Sequence, residues 1–154
     1  NNMLSFYKQH CKKMLEKYGL TNFKNHYPSQ LSGGMRQRAA LVRTLAIEPD
    51  LLLLDEPFSA LDYQTRLEIG DEVGTILRNE KISTILVTHD IPEAVSISDR
   101  VIVFTERPAN IKKEYNIEFE ECLGERTPMK CRNTLVFGEY FRNIWRDLDV
   151  EKEK

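Results

Sequence analysis

The run Leu51–Pro57, LLLLDEP, is the clearest indicator of the fold class of this chain. Its four leucines are continuous rather than alternating with polar residues, which is typical of a strand buried on both faces of a parallel sheet. Leucines alone would also suit a helix, but the shortness of the run and its flanking Pro49 and Pro57 favour a strand. We therefore expect a central strand that ends in two carboxylates.

Two further apolar runs follow this strand, and helical patterns separate them. Thr84–Val87 and Val101–Phe104 are rich in β-branched residues, which favours strands. Tyr63–Asn79 and Ile91–Ile97 are the expected helices between them. Alternating strands and helices predict an α/β fold with right-handed crossovers in a parallel sheet.

The flanking regions add helices and one more strand. Apolar residues recur at spacings of three and four in three stretches, which predicts amphipathic helices at Phe6–Tyr18, Met35–Ala46 and Asn133–Leu148. Tyr115, Ile117 and Phe119 alternate with polar residues, which predicts a strand or a hairpin arm.

Composition and charge narrow the class of protein. The chain has 154 residues, of which 41% are hydrophobic, so it can bury a sizeable core. Its formal net charge of -2 argues against nucleic acid or an anionic membrane as the main partner. No apolar run is long enough to cross a bilayer, and the first residues lack a signal-peptide pattern, so a cytoplasmic protein is expected. Three widely spaced cysteines, Cys11, Cys122 and Cys131, are expected to be reduced and structural.

Polar residues follow the first two strands, where a parallel sheet binds its ligands. Asp55 is suited to hold a hard cation, and Glu56 to orient a nucleophilic water. Thr88, His89 and Asp90 follow the second strand. The alternative is that Asp55 and Glu56 are exposed turn carboxylates and that His89 is structural.

A Ser-Gly-Gly turn at residues 32–34 precedes the second helix. Such a turn leaves backbone N–H groups unpaired at the positive end of the helix dipole, which makes an anion site. The alternative is that Ser32 is only an N-cap and the glycines are a loop.

Taken together, residues 31–62, LSGGMRQRAALVRTLAIEPDLLLLDEPFSALD, and residues 85–104, ILVTHDIPEAVSISDRVIVF, closely resemble the ATPase subunit of ATP-binding cassette (ABC) transporters. The resemblance implies a P-loop NTPase-like three-layer α/β fold with a largely parallel sheet and part of a helical subdomain. It also implies ATP hydrolysis with ATP and Mg²⁺ as cofactors. The sequences HYPSQLSGGM, DEPFSALD and THDIPEA also resemble those of ATPase subunits of importers for nitrate, sulfonates and taurine.

The resemblance assigns roles to single residues. Asp55 holds magnesium, Glu56 is the general base, His89 is the switch histidine that reaches the γ-phosphate, and Asp62 ends the D-loop. The signature motif contacts a nucleotide held mainly by the opposite subunit, and it comprises Leu31, Ser32, Gly33, Gly34 and Met35. The implied partners are a second ATPase subunit, transmembrane permease subunits and, indirectly, a solute-binding protein, with no nucleic acid. The implied location is the cytoplasmic face of the membrane, as a peripheral protein.

The chain departs from the family pattern because it contains no G-x-x-x-x-G-K-[ST] loop. We therefore expect a C-terminal fragment that lacks the Walker A strand, and weak or no ATP binding by the chain alone. Its expected divisions are 1–48 (partial helical subdomain), 49–108 (core half) and 109–154 (C-terminal region). The strands at 84–87 and 101–104 are expected to pair directly, to exchange in a dimer or to aggregate. Alternative functions are the C-terminal half of a chromosome-maintenance or DNA-repair ABC-type ATPase, or a non-hydrolysing interaction module.

Overall fold

The structure of this chain, a computed structural model, describes residues 2–122 and 126–149. The α-helices are α1 (Asn2–Lys17), α2 (Gly33–Leu45), α3 (Tyr63–Glu80), α4 (Ile91–Ile97), α5 (Pro128–Arg132) and α6 (Leu135–Asp149). The strands are β1 (Leu51–Asp55), β2 (Ser83–Val87), β3 (Arg100–Phe104) and β4 (Ile111–Asn116). Short 3₁₀ helices cover Thr21–Phe23, Pro28–Gln30 and Glu120–Cys122. The predicted helices and the first three predicted strands are thus confirmed, with shifts of a few residues at their ends and with α5 added before α6. The strand expected around Tyr115, Ile117 and Phe119 lies earlier in the chain, because β4 ends at Asn116 and leaves Ile117 and Phe119 outside it. The three-part division of the chain stays a prediction, and residue 1 of its first part and residues 123–125 and 150–154 of its last part lie outside the described residues.

The parallel pair that positions the site is β1 with β2. Its register runs from Leu51 opposite Ser83 to Asp55 opposite Val87. Since both strands run in the same direction, their carboxyl ends lie at one edge, with the residues after Asp55 and Val87 as neighbours. The α/β class is therefore confirmed.

The strand β3 does not join this parallel pair. It pairs with β4 in an antiparallel ladder from Arg100 opposite Asn116 to Phe104 opposite Ile111. The reason is the tight reversal after β3, in which the Thr105 N–H donates to the Asn110 carbonyl at 2.9 Å, so that the chain returns directly beside β3. The expectation that Val101–Phe104 lies in the parallel sheet is wrong for the described residues. Direct pairing of β2 with β3 is likewise not observed there, while strand exchange and aggregation stay predictions.

Burial of β1 also differs from the expectation. Leu52 is 3% exposed, but Leu51 and Leu53 are 49% and 67% exposed. One face of the strand packs on the core cluster that α2 and α3 supply, and Ile85 and Val87 of β2 are exposed like Leu51 and Leu53. Because no described element covers this second face, the prediction of a strand buried on both faces is wrong.

Two hydrophobic clusters form the interior. The first joins the end of α1, α2, β1 and α3, with Phe58 and Leu52 among its most buried members. The second joins α4, β3, the segment after β4, α5 and α6 around Val95 and Cys131, both fully buried. The three cysteines are free, and Cys11 is exposed, so it has no place in either cluster.

Within the described ranges, none of the helices combines the length and apolar character that crossing a bilayer requires. The α1 helix ends as its sequence predicts, since Gly19 follows it with a φ of 68°, a conformation that glycine adopts without steric cost.

Candidate functional site

The centre of the site is a carboxylate and an imidazole that follow β1 and β2. Glu56 continues the ladder past β1, because its N–H donates to the Val87 carbonyl at 2.8 Å. Its φ of 47° turns the chain out of the sheet immediately after the strand. His89 follows β2 by two residues, and its Nδ1 lies 2.7 Å from Glu56 Oε1. The structure therefore brings together the two residues that the sequence singled out for catalysis.

This contact favours the charged form of the imidazole. The hydrogen bond to Glu56 and the charge of that carboxylate raise the pKa of His89 above its ordinary value. The His89 side chain is 75% exposed, so water screens the pair, but the ring is also open to an incoming ligand. A proton on Nδ1 donates to Glu56 and leaves Nε2 for another partner.

Asp55 lies beside this pair as the last residue of β1, with an exposed side chain. Within residues 2–122 and 126–149, no group of three or more histidine, cysteine or carboxylate side chains could hold a metal ion. A lone strand-end carboxylate nevertheless fits Mg²⁺, which proteins commonly bind through one or two carboxylates together with substrate phosphates. Asp55 thus suits an ion that arrives with a phosphate ligand rather than a resident metal.

The Ser-Gly-Gly turn begins α2 as predicted. Ser32 Oγ accepts a hydrogen bond from the Met35 N–H at 3.2 Å, so Ser32 is an N-cap. Arg36 Nη1 donates to the Leu31 carbonyl at 2.6 Å and holds the residue before the cap. The first N–H groups of a helix have no partner within the helix, so this turn also retains the donors that an anion site needs.

The two glycines of the turn differ in what surrounds them. A Cβ atom on Gly34, which is buried, would lie 2.4 Å from Ile69 Cδ1 in α3. On Gly33 it would lie 3.5 Å from Leu61 Cδ2, an ordinary contact. Gly34 therefore allows α2 and α3 to approach each other, a packing role that sequence reasoning missed because Ile69 lies far along the chain.

Asp62 is the N-cap of α3. Its Oδ1 accepts the Thr65 N–H at 3.0 Å, and the hydrogen bonds from Thr65 hold the pKa of Asp62 below its usual range. In the part of the chain that the structure describes, no hydrogen bond or ion pair joins Asp62 or the signature turn to Asp55, Glu56 or His89. The predicted residues thus fall into a strand-end group and a helix-start group.

Sequence reasoning also missed Arg66 and Glu93, which lie next to the strand-end group. Arg66 of α3 forms an ion pair with Asp90. Glu93 is 4% exposed, and burial raises the pKa of its carboxyl. The sequence did hold one signal, because Asp90-Ile91-Pro92-Glu93 has the spacing of a capping box at a helix start.

A cavity of about 620 Å³ opens beside His89. Its walls include Arg66, Phe104 and, on α6, Phe141 and Trp145. Phe141 of α6 packs against the second hydrophobic cluster. Trp145 stacks on Phe141 but stays 53% exposed, facing this cavity.

Comparison with solved structures supports this description of the fold. The dimeric post-hydrolysis structure of the ATP-binding cassette MJ0796, bound to ADP and Pi, matches with a TM-score of 0.54 and 31% identity. The match covers 72% of this chain and 47% of that one. The fold is that of an ATP-binding cassette.

Relatives in sequence agree with the fold. A family model described as ABC transporter matches residues 5–59. The uncharacterized ABC transporter ATP-binding protein YtlC of Bacillus subtilis is 44% identical over 92% of this chain and 54% of its own. The taurine import ATP-binding protein TauB of Yersinia pseudotuberculosis is 42% identical over 84% of this chain and 54% of its own. The nitrate import ATP-binding protein NrtD of Synechocystis is 45% identical over 84% of this chain and 50% of its own.

The chain belongs to the family of ABC transporter ATP-binding proteins. It spans about half the length of the curated relatives that it matches.

Proposed function

We propose that this chain takes part in ATP hydrolysis by an ABC importer and supplies the general base, the switch histidine and the signature turn. The observation that carries the proposal is the 2.7 Å contact between His89 Nδ1 and Glu56 Oε1 at the shared edge of β1 and β2. Phosphoryl transfer in such sites depends on positioning and charge stabilisation, and none of these side chains needs to act as a covalent nucleophile.

Each of the three strand-end residues has a distinct task in this proposal. Glu56 orients the attacking water and accepts its proton. His89 donates from Nε2 to the γ-phosphate, and the raised pKa of its imidazole favours the charged form for that contact. Asp55 holds Mg²⁺, which neutralises charge on the phosphate oxygens when it is bound.

The helix-start group acts on a different nucleotide. Leu31 to Met35 and Asp62 face the nucleotide of a second ATPase subunit, in trans. Two observations support this assignment: the turn makes no described contact with Glu56 or His89, and the MJ0796 relative is a dimer in its solved structure. Ser32 contributes through the N–H groups that its cap orders, and the positive end of α2 favours the phosphate.

The importer setting comes from the relatives. Those named for taurine and nitrate import support a small anionic or zwitterionic solute of that kind, and they favour a transporter over a chromosome-maintenance ATPase. The partners are then the second ATPase subunit, the transmembrane permeases and, through them, a solute-binding protein. The subunit then acts at the cytoplasmic face of the membrane.

The proposal is tested in a hybrid subunit, in which the whole 154-residue chain replaces the matching half of Synechocystis NrtD. We expect hydrolysis of Mg-ATP, and we expect Asp55→Asn to raise the Mg²⁺ concentration needed for half-maximal rate at least about tenfold. Asp50→Asn is the matched control, because Asp50 is an exposed carboxylate just before β1 rather than just after it. A hybrid without hydrolysis, or equal Mg²⁺ dependence in both variants, contradicts the proposal.

A further inference from the structure

Two arginines of α3 hold the two ends of α4 by the same kind of double contact. At the beginning of α4, Arg66 Nη1 donates to Asp90 Oδ2 at 3.3 Å and Nη2 donates to the Leu61 carbonyl at 3.0 Å. At its end, Arg78 Nη1 donates to Asp99 Oδ1 at 3.1 Å and Nη2 donates to the Ile97 carbonyl at 3.2 Å. Each guanidinium thus joins one carboxylate and one backbone carbonyl.

The contact of Arg66 differs from that of Arg78 in what it connects. Leu61 belongs to the loop before α3 that ends at Asp62, the N-cap of that helix. Asp90 directly follows His89 and is the N-cap of α4, because its Oδ1 accepts the Glu93 N–H at 2.9 Å. Arg66 therefore links the loop of the helix-start group to the residue next to the switch histidine.

The backbone around His89 is fixed on both sides. The Asp90 N–H donates to Thr88 Oγ1 at 3.0 Å, so His89 lies between two residues that are joined to each other. Asp90 is itself held through both carboxylate oxygens, one by the Glu93 N–H and one by Arg66. A shift of the Arg66 guanidinium would therefore move the backbone that carries the imidazole.

The link is more protected from water than a surface ion pair. The side chains of Arg66 and Asp90 are 27% and 24% exposed, and Arg66 Nε is buried. Charge-assisted hydrogen bonds from a planar guanidinium fix direction as well as distance, whereas a lysine ammonium would act as a point charge. The neighbouring carboxyl of Glu93 is buried; burial raises its pKa, and the charge of Arg66 acts in the opposite direction.

We propose that Arg66 is a positioning residue for ATP hydrolysis, which transmits the position of the Leu61–Asp62 loop through Asp90 to His89. The proposal rests on the function proposed above, in which Asp62 faces the second subunit and His89 meets the γ-phosphate. Docking of the second subunit against the Leu61–Asp62 loop then changes the position of His89.

The first test is steady-state hydrolysis by the hybrid subunit with Arg66→Ala, Arg66→Lys and Arg78→Ala. Displacing a catalytic group by about 1 Å costs up to about a hundredfold in rate, so Arg66→Ala should lower kcat about tenfold to a hundredfold with KM changed less than about threefold. Arg66→Lys should recover part of this loss, because it keeps the charge but not both directed hydrogen bonds. Arg78→Ala removes the same kind of double contact at the other end of α4 and should leave kcat within about twofold, because Asp99 and Ile97 lie at the end of that helix away from His89.

Equal losses of kcat in Arg66→Ala and Arg78→Ala would mean that both arginines act only through stability, and would overturn the proposal. A loss that appears wholly in KM would overturn it too. If Arg66→Ala does not fold, kcat is compared between Arg66→Lys and Arg78→Lys. A lower kcat in Arg66→Lys alone supports the proposal, and equal values of kcat overturn it.

The second test does not require hydrolysis. In the 154-residue chain with ¹⁵N-labelled histidine, the ring resonances of His89 should shift in Arg66→Ala and stay in place in Arg78→Ala. Unmoved resonances in Arg66→Ala overturn the link between Arg66 and His89. If the hybrid hydrolyses no ATP but the resonances move only in Arg66→Ala, the proposed function fails while the link itself stands.

Discussion

At the scale of single residues, the pairing of Glu56 with His89 follows from two strand ends. Both residues could be predicted from the sequence, because apolar runs mark β1 and β2 and parallel strands end at one edge. The sequence alone could not show that Gly34 is needed for helix packing or that Asp62 caps α3, because both residues also fit the motifs that bind nucleotide. Ile69, which forces a glycine at position 34, is 35 positions away in sequence and becomes a neighbour only through the crossing of α2 with α3.

The titration of His89 is a direct measure of this pairing. Because the Glu56 carboxylate raises the pKa of the imidazole, Glu56→Gln should lower the pKa of His89 in the 154-residue chain. The sign follows from the raised value: the attraction is present at pH values below the pKa of the folded chain and is lost as the pH rises through it. Histidine NMR over a pH series gives the measurement.

Glu72→Gln serves as its control, because that carboxylate pairs with Arg38 instead. An unchanged pKa for His89 in Glu56→Gln, or an equal decrease in Glu72→Gln, would show that the contact with Glu56 is absent in solution.

At the scale of elements, the beginning of α2 combines a cap with a close helix crossing. Ser32→Ala removes the hydrogen bond from the Met35 N–H and should lower the free energy of unfolding by about 1 kcal/mol.

Gly34→Ala places a methyl group against Ile69 in a packed core and should lower the free energy of unfolding by about 1–3 kcal/mol. Urea denaturation of the purified variants measures both values.

Gly33→Ala is the comparison for Gly34→Ala, since the added methyl group makes only an ordinary contact with Leu61. We expect its effect on the free energy of unfolding to be the smaller of the two. If Gly33→Ala destabilised the chain as much as Gly34→Ala, the α2–α3 crossing would not be the reason for glycine at position 34.

For β1 and β3, the sequence pattern predicts the strand but not its burial or its pairing partner. The run Leu51–Leu54 correctly predicted a strand, but its continuous apolar character does not specify which elements cover its two faces. The β-branched run at Val101–Phe104 likewise predicted β3 correctly, while its partner was decided by the tight reversal at residues 105–110. Strand identity is local information, whereas pairing and burial depend on the rest of the chain.

At the scale of the whole molecule, the exposed face of the β1–β2 sheet is the feature with the largest physical consequence. Leu53 and Ile85 are 67% and 51% exposed, and Val87 is exposed beside them. Contiguous apolar surface of this kind favours association with another chain, and so does a strand edge that no other described strand pairs with. We expect the 154-residue chain to self-associate as its concentration rises, which sedimentation velocity over a concentration series would detect.

Ile85→Lys should reduce that association by placing a charge in the centre of the face. Gln64→Lys is the matched control, because it adds the same charge at an exposed position of α3. A wild-type chain that remains monomeric over the whole series, or an equal decrease in both variants, would speak against this face as the associating surface.

The role of Glu56 as the general base of an ATP-hydrolysing site is measured by the turnover of Glu56→Gln. In the hybrid subunit, ATP occupancy and ATP turnover are measured on the same preparation. We predict that occupancy is retained while turnover falls by about two to four orders of magnitude, the scale expected for loss of a general base. Turnover equal to that of the unmodified hybrid would show that Glu56 is not the general base.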